Sequence, residues 1–260
     1  MSEMIWLGNV AYDKYVELIK ERDSLKKIAF QMQQEYIRTF GEIILSVFKK
    51  KLECIRKKKM IAYCQAAVNR GEAIDQAALQ AYLAKEMEAY QEQLAEMIKE
   101  NENAKETGIR TQAELLKIKK IYHKIAKRIH PDIFPKTNEE PVLMALWNRT
   151  VVTYECNDLE GLTECDMLVN KALEELGLDA EISDVPDIEE KIISLQAQIK
   201  KIRETDPYQY KYLLEDPEAV EAKKESLMEE LRSYEEYDKQ LEDMLAGILG
   251  NGGVIAWQMN

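Results

Sequence analysis

Proline and glycine are scarce in this sequence, with 6 prolines and 10 glycines among 260 residues. A turn-rich β fold needs these residues at many of its turns, so their scarcity disfavours that class. The residues that favour helix, namely Leu, Glu, Lys, Ala, Gln and Met, dominate most segments. We therefore expect an all-α fold, in a chain long enough for one large domain or two small ones.

Histidine and cysteine, which are common at metal sites and catalytic sites, are also few. The chain has two histidines and four cysteines, and no two cysteines form a C-x-x-C pair. We therefore expect no zinc site, and we interpret the cysteines as reduced thiols of a cytosolic protein. The sequence offers no Gly-rich phosphate loop and no nucleophile with a base, so we expect no cofactor and no enzyme activity. The four cysteines are Cys54, Cys64, Cys156 and Cys165.

Long apolar runs are missing as well. The longest clusters, such as Ile43–Leu45, are far shorter than the ~20 residues that a membrane-spanning helix needs. The N-terminus carries an acid and no apolar run, so we expect no signal peptide, no membrane partner and a cytoplasmic location. The formal net charge of -12 repels nucleic acid, which is therefore the less favoured kind of partner.

The first segment, 1–108, is predicted to form a long helical hairpin. Between Ala11 and Asn69 there is no proline and one internal glycine, Gly41, at which a kink is one option. Such a helix would be about 90 Å long at about 1.5 Å per residue, which predicts an elongated molecule. Its apolar residues recur at helical spacing and include Tyr12, Tyr15, Ile19, Met32, Tyr36, Phe40, Ile44 and Val47.

The second helix of this hairpin is predicted over 76–105. Gly71 suits the left-handed end of the first helix, and Asp75 can cap the start of the second. The apolar residues of the second helix follow steps of three and four, close to a heptad, so the two helices should pair in antiparallel orientation. These apolar residues are Leu79, Leu83, Met87, Tyr90, Leu94 and Met97.

The last segment, 181–250, repeats this design. Asp184 and Pro186 suit a helix start, and two later prolines interrupt the apolar pattern that follows. We expect a second coiled-coil-like antiparallel hairpin here, and a flexible tail at 251–260. The apolar positions of the two arms are Ile188, Ile192, Leu195, Ile199 and Ile202, and then Leu227, Leu231, Tyr234, Leu241, Leu245 and Ile248.

The middle segment, 109–180, contains a helix that carries charge of one sign. Leu115–Ile129 has an apolar stripe and six basic residues, and it contains no acid. In a chain with an excess of acids, such a helix would attract an acidic protein surface or a phosphate backbone. Its basic residues are Lys117, Lys119, Lys120, Lys124, Lys127 and Arg128.

His130, Pro131 and Asp132 follow this helix directly. Proline disfavours helix at the residue before it, so the helix should end near His130. The stretch "IKKIYHKIAKRIHPD", residues 118–132, resembles the second helix and loop of a J domain, the shared module of DnaJ-like co-chaperones. The residues that carry the resemblance around the tripeptide are Ile118, Tyr122, Ile125 and Ala126 before it, and Trp147, Val151 and Tyr154 after it.

The resemblance covers about residues 111–158, and an additional amphipathic helix should follow it from Asp158 to Gly177. It implies that the tripeptide touches a DnaK-type chaperone ATPase and stimulates its ATP hydrolysis, while this chain itself catalyses nothing. The hairpins would then bind an unknown client protein or place the chain in an assembly. The residues that the resemblance assigns to partner binding are His130, Pro131, Asp132, Lys119, Tyr122, His123 and Lys124.

The sequence departs from the J-domain pattern at several positions. The short first helix with its Tyr-x-x-Leu-Gly signature is missing, and Ile133 stands where a basic residue often follows the tripeptide. His123 and Asn148 also replace residues that are frequently basic. An alternative hypothesis is therefore a non-catalytic coiled-coil scaffold with a degenerate J domain, and homo-oligomerisation stays open.

A second basic stretch, Lys49–Lys59, contains seven basic residues and one acid. It could be a nucleic-acid patch, which would make the chain an RNA- or DNA-associated helical protein. We favour a solvated helix face that pairs with acids on the neighbouring hairpin, because charge runs on helices are usually of that kind.

Overall fold

The computed structural model describes residues 2–106, 111–178, 187–250 and 255–256. Nearly all of them are helical, which confirms the predicted all-α class. None of the helices in these ranges has a stretch long and apolar enough to cross a membrane. The helices are α1 (Ser2–Asn69), α2 (Gln76–Glu106), α3 (Gln112–Ile129), α4 (Pro141–Glu155), α5 (Leu159–Glu175), α6 (Ile188–Glu204), α7 (Tyr210–Leu214) and α8 (Pro217–Gly250).

The turn between α1 and α2 follows from its sequence. Gly71 has φ +69, the left-handed conformation that glycine adopts without strain. The Asp75 carboxylate then accepts the backbone N–H groups of Ala77 and Ala78 at 2.9 and 3.1 Å, which caps α2. The predicted ends of both long helices near this turn are therefore confirmed.

The remaining regular structure in the described residues is a short 3₁₀ helix, Pro135–Asn138, and two short strands. β1 (Ile74–Asp75) pairs in parallel with β2 (Ile255–Ala256). The flexible tail predicted at 251–260 lies outside the described residues, except for β2.

The chain forms two compact units. Unit 1 consists of Met1–Gln34 and Thr107–Tyr212, and unit 2 consists of Glu35–Glu106 and Leu213–Asn260. This division differs from the three consecutive segments that the sequence predicts. The reason is that α1 contributes its first part to one unit and its second part to the other.

In unit 2, α1 and α2 form the predicted antiparallel hairpin. Late residues of α1 meet early residues of α2: the Tyr63 and Tyr82 rings lie 5.4 Å apart, and Lys59 pairs with Glu86 at 2.6 Å. Earlier in α1, Glu42 pairs with Lys105 near the end of α2. The order of these contacts is that of two antiparallel helices.

Helix α8 packs on the same part of α1 and runs in the same direction. Asp238 lies 3.4 Å from Lys50 and 2.7 Å from Lys57, and further along Ile248 packs on the buried cluster that contains Cys64. Together with the Lys59–Glu86 pair, these contacts agree with the interpretation of Lys49–Lys59 as a helix face that pairs with neighbouring acids.

In unit 1, α6 packs on the first part of α1. Ile192 and Leu195 join a buried cluster with Ile19 and its neighbours, and Arg203 pairs with Glu21 at 2.6 Å. The sequence predicts a second hairpin from the apolar stripes of α6 and α8. In the structure each of these stripes packs against α1, that of α6 in unit 1 and that of α8 in unit 2. The helix start predicted at Asp184 and Pro186 lies outside the described residues.

The rest of unit 1 is a three-helix core formed by α3, α4 and α5. Thr111 caps α3 in a capping box with Glu114, and Asp158 caps α5 through the N–H of Gly161. Helix α3 is antiparallel to α4 and parallel to α5, judged by the order of their contacts. The buried residues of this core include Ile118, Tyr122, Ile125, Leu143, Trp147, Tyr154, Leu162 and Val169.

Candidate functional site

The His-Pro-Asp tripeptide forms a tight turn at the end of α3. His130 is extended, with φ -62 and ψ 126, as the following proline requires. The carbonyl of His130 accepts the N–H groups of Ile133 and Phe134 at 2.8 and 2.7 Å, and both of these side chains are buried. The main chain of the turn is therefore fixed from within.

The His130 side chain is 4% exposed and contacts the Trp147 ring edge-on, with the ring centroids 4.5 Å apart. Its Nδ1 accepts the backbone N–H of Asp132 at 3.0 Å. Its Nε2 lies 3.4 Å from Asp23 Oδ2. Both ring nitrogens are thus engaged within the protein.

Three residues of α1 hold the tripeptide, and we call Tyr15, Arg22 and Asp23 the α1 clasp. Arg22 Nη1 donates to Asp132 Oδ2 at 2.9 Å, and Arg22 Nη2 lies 3.0 Å from His130 Nε2. The Tyr15 hydroxyl donates to the backbone carbonyl of Asp132 at 3.1 Å. The clasp therefore contacts both the main chain and the side chain of Asp132.

Asp23 is the buried charge on which the clasp depends. Its Oδ1 accepts from Arg22 Nε and Nη2 at 3.0 and 2.9 Å, and its Oδ2 accepts the Tyr122 hydroxyl at 2.7 Å. Burial would raise the pKa of Asp23, but the hydrogen bond and charge of His130, the charge of Arg22 and the Tyr122 hydroxyl outweigh it and lower that pKa to about 2. Burial and the neighbouring Asp23 in turn raise the pKa of Tyr122.

An aromatic stack continues from Tyr122 away from the tripeptide. The Tyr122 and Tyr154 rings are stacked with their centroids 3.8 Å apart, and Lys27 Nζ lies 3.8 Å from the Tyr154 centroid. Burial lowers the pKa of Lys27 to about 8. A cleft of about 280 Å³ lies between α1 and the tripeptide, lined by residues of the clasp and of this stack.

The seven residues that the resemblance assigns to partner binding are not equally exposed. Tyr122 and His130 are buried, at 2% and 4% exposure, and Pro131 is half-buried. The Asp132 side chain is 43% exposed, although it is paired with Arg22. In the folded chain the tripeptide therefore faces α1 more than solvent.

The basic face of α3 points to solvent, in contrast to the tripeptide. Lys119 is exposed, and so is Lys124, which pairs with Asp166 at 2.6 Å. His123 is half-buried, and its pKa is lowered by burial first and then by the charges of Lys119 and Lys20. In the part of the chain that the structure describes, His123 Nε2 is buried without a hydrogen-bond partner.

The α1 clasp is the part of the site that sequence reasoning missed. Arg22 follows Tyr15 by seven residues and so shares its helix face. A charged residue on an apolar helix face is the signal that the sequence offers. Nothing in the sequence indicates that this face meets residues 130–132.

No protein-family model, curated protein or solved structure matches this chain. Among the described residues, no group of three or more His, Cys, Asp or Glu side chains could hold a metal ion. The J-domain assignment is consequently a proposal that rests on the residues of the tripeptide and its neighbouring helices.

Proposed function

We propose that this protein is a J-domain-like co-chaperone. Its His-Pro-Asp loop and the basic helix α3 would dock on a DnaK-type chaperone ATPase and stimulate ATP hydrolysis there. The long helices outside the core of α3, α4 and α5, namely α1, α2, α6 and α8, would bind a client protein or an assembly. Action in the cytoplasm belongs to the same proposal, and the four free cysteines fit a reducing compartment.

The observation that carries the proposal is the exposed face of α3 next to the tripeptide. Lys117, Lys120, Lys124 and Lys127 are all exposed, and their spacing of three and four residues puts them on one side of the helix. Such a face steers an acidic partner surface toward the end of the helix, where the tripeptide lies. The turn at residues 130–134 supports this arrangement, because its internal hydrogen bonds fix the position of Asp132.

A second candidate function is a scaffold that catalyses and stimulates nothing. The burial of His130 and Tyr122 against the α1 clasp favours it, because both side chains then serve the packing of unit 1. In this case partners would bind the helical surfaces and not the tripeptide. Partner capture that persists after Asp132→Asn would support the scaffold.

Single-turnover ATP hydrolysis by a DnaK-type chaperone tests the first candidate. Wild type is compared with His130→Gln and Asp132→Asn over a range of concentrations that extends well above that of the ATPase. Asp132→Asn is the sharper variant, because the side chain is 43% exposed and the change keeps its shape. Asp13→Asn makes the same chemical change at an exposed aspartate of α1 and serves as the matched control.

We expect wild type and Asp13→Asn to stimulate hydrolysis, and we expect both tripeptide variants to lose this stimulation. Far-ultraviolet circular dichroism and thermal unfolding show whether each variant is folded. If wild type stimulates no more than Asp132→Asn at the highest concentration, the scaffold is the better description.

A further inference from the structure

We propose that the α1 clasp inhibits the tripeptide internally, so that an ATPase partner must displace Tyr15, Arg22 and Asp23 before it can engage the loop. This inference rests on the proposed co-chaperone function and adds its regulation. The chain would exist in a closed form, which the structure shows, and in an open form with the tripeptide free.

The first argument is that the clasp already occupies the polar groups of the tripeptide. The Asp132 carboxylate is bound by Arg22 and its carbonyl by Tyr15, at 2.9 and 3.1 Å. His130 Nε2 is enclosed between Arg22 and Asp23, at 3.0 and 3.4 Å. A partner that needs any of these atoms competes with α1 for them.

The second argument concerns Ile133, the residue that departs from the J-domain pattern directly after the tripeptide. It is 3% exposed and belongs to the buried cluster of Tyr15, Val16 and Ile19, together with Leu195 of α6. A basic side chain at this position would be buried among apolar groups at a high cost. Isoleucine here therefore fits a loop that is held against α1.

The third argument is that α1 covers the tripeptide only in part, so a partner can replace α1 there. The Asp132 side chain remains 43% exposed, and a cleft of about 280 Å³ separates part of α1 from the loop. A partner can therefore reach the carboxylate before α1 has left. If the open form makes up ~1% of the molecules, the apparent affinity for the partner falls ~100-fold.

The test removes the polar contacts of the clasp while it keeps the volume of α1. The variant Tyr15→Phe/Arg22→Met/Asp23→Asn loses the hydrogen bonds and charges that hold the tripeptide, and it leaves no unpaired charge from the Arg22–Asp23 pair. Arg203→Met is the matched control, because it removes an arginine that pairs with Glu21 of α1 and does not touch the loop.

Binding to a DnaK-type ATPase and single-turnover hydrolysis are measured for wild type, the triple variant and Arg203→Met. We expect the triple variant to bind at least ~10-fold tighter than wild type and to stimulate at lower concentration, whereas Arg203→Met behaves as wild type. Asp132→Asn added to the triple variant should remove the gain. In wild type, addition of the ATPase should increase hydrogen exchange in residues 15–27.

The outcomes separate this inference from the proposed function. If wild type and the triple variant both bind and differ by less than ~2-fold, the clasp is not inhibitory and the co-chaperone function stands. If neither binds, the co-chaperone function fails and the inference fails with it. Should the triple variant not fold, Tyr15→Phe alone removes one neutral hydrogen bond and is expected to tighten binding about twofold to tenfold.

Discussion

Arg22 Nη1 lies 2.9 Å from Asp132 Oδ2, so an ion pair joins two residues that are 110 positions apart in the sequence. The two ends of this pair differ in their surroundings: the Arg22 side chain is 9% exposed and the Asp132 side chain is 43% exposed. Arg22 also pairs with Asp23, which is 9% exposed. The guanidinium thus connects a buried carboxylate with one that water reaches.

This asymmetry predicts unequal effects of substitution at the two ends. Asp132→Asn should reduce the free energy of unfolding by less than ~1 kcal/mol, because a partly exposed ion pair contributes little. Arg22→Ala should reduce it by ~3–5 kcal/mol, because Asp23 is then left buried without its cation. Urea denaturation at neutral pH measures both values.

Arg203→Ala provides the comparison for Arg22→Ala. It removes the same side chain from a pair with Glu21 in which both partners are substantially exposed, so a loss below ~1 kcal/mol is expected. Similar losses for Arg22→Ala and Arg203→Ala would mean that Asp23 is not held as the structure indicates.

The lowered pKa of Asp23 predicts that the free energy of unfolding decreases in acid. Its pKa in the folded chain is about 2, below the ordinary value of 3.8, so the unfolded chain binds the proton more readily. The corresponding stability is fully present above about pH 4 and is lost as the pH falls through about 2, with a total of about 2 kcal/mol. The difference in unfolding free energy between wild type and Asp23→Asn should therefore shrink by that amount between pH 5 and pH 2. A difference that stays constant over this range would contradict the buried pair.

The helix bounds were predictable because local chemistry determines them. Gly71 and Asp75 mark the turn between the two long helices in the sequence, and the structure has the left-handed glycine and the cap at these positions. Packing partners were less predictable. An apolar stripe shows that a helix must be covered, but Ile192 and Leu195 have the same pattern whether they face α8 or, as the structure has it, α1.

The tripeptide was visible in the sequence, but its environment was not. Arg22 and Asp23 are charged residues on a long helix, and such residues are usually solvated. Their burial depends on His130, Asp132 and Tyr122, which lie about a hundred residues further along the chain. No local pattern encodes a contact over that separation. The burial of the tripeptide against α1 was therefore not predictable from the sequence, and only the structure shows it.

The lowered pKa of Lys27 predicts that the free energy of unfolding increases with pH in the alkaline range. Burial lowers its pKa to about 8, below the ordinary 10.5, so the folded chain releases this proton first and stability should rise as the pH rises from about 7 to about 9.5. Above that range Tyr15 and Tyr122, whose pKa values are raised by burial, act in the opposite direction. Urea denaturation across this range should show the rise in wild type and its absence in Lys27→Met.

Lys26→Met is the control for this pH dependence. Lys26 is the exposed neighbour of Lys27, so its replacement should leave the rise unchanged. If Lys26→Met and Lys27→Met flatten the curve equally, the buried position of Lys27 over Tyr154 is not its cause.

The close contact between Gly41 and Asn101 predicts that substitutions at these two positions of unit 2 are energetically coupled. Helix α1 continues through Gly41, and this glycine permits the close approach of α2. A Cβ at this position would lie 2.6 Å from Asn101 Oδ1, an atom that is buried and has no hydrogen-bond partner among the described residues. Gly41→Ala should therefore destabilise unit 2 in spite of the ~1 kcal/mol that alanine contributes in a helix.

Removal of Asn101 should reverse the sign of that effect. In the Asn101→Ala background the added methyl group meets no amide oxygen. Ile37 Cγ2 would lie 3.2 Å from it, but this side chain is half-buried and needs to shift by a few tenths of an ångström only, so Gly41→Ala should stabilise the chain by up to ~1 kcal/mol. A double-mutant cycle in urea then gives a coupling of at least ~1 kcal/mol between the two positions. Gly247→Ala in α8, where a Cβ meets nothing within 4 Å, should stabilise in either background. If Gly41→Ala is equally stabilising with and without Asn101, then the close contact between α1 and α2 is not what requires the glycine.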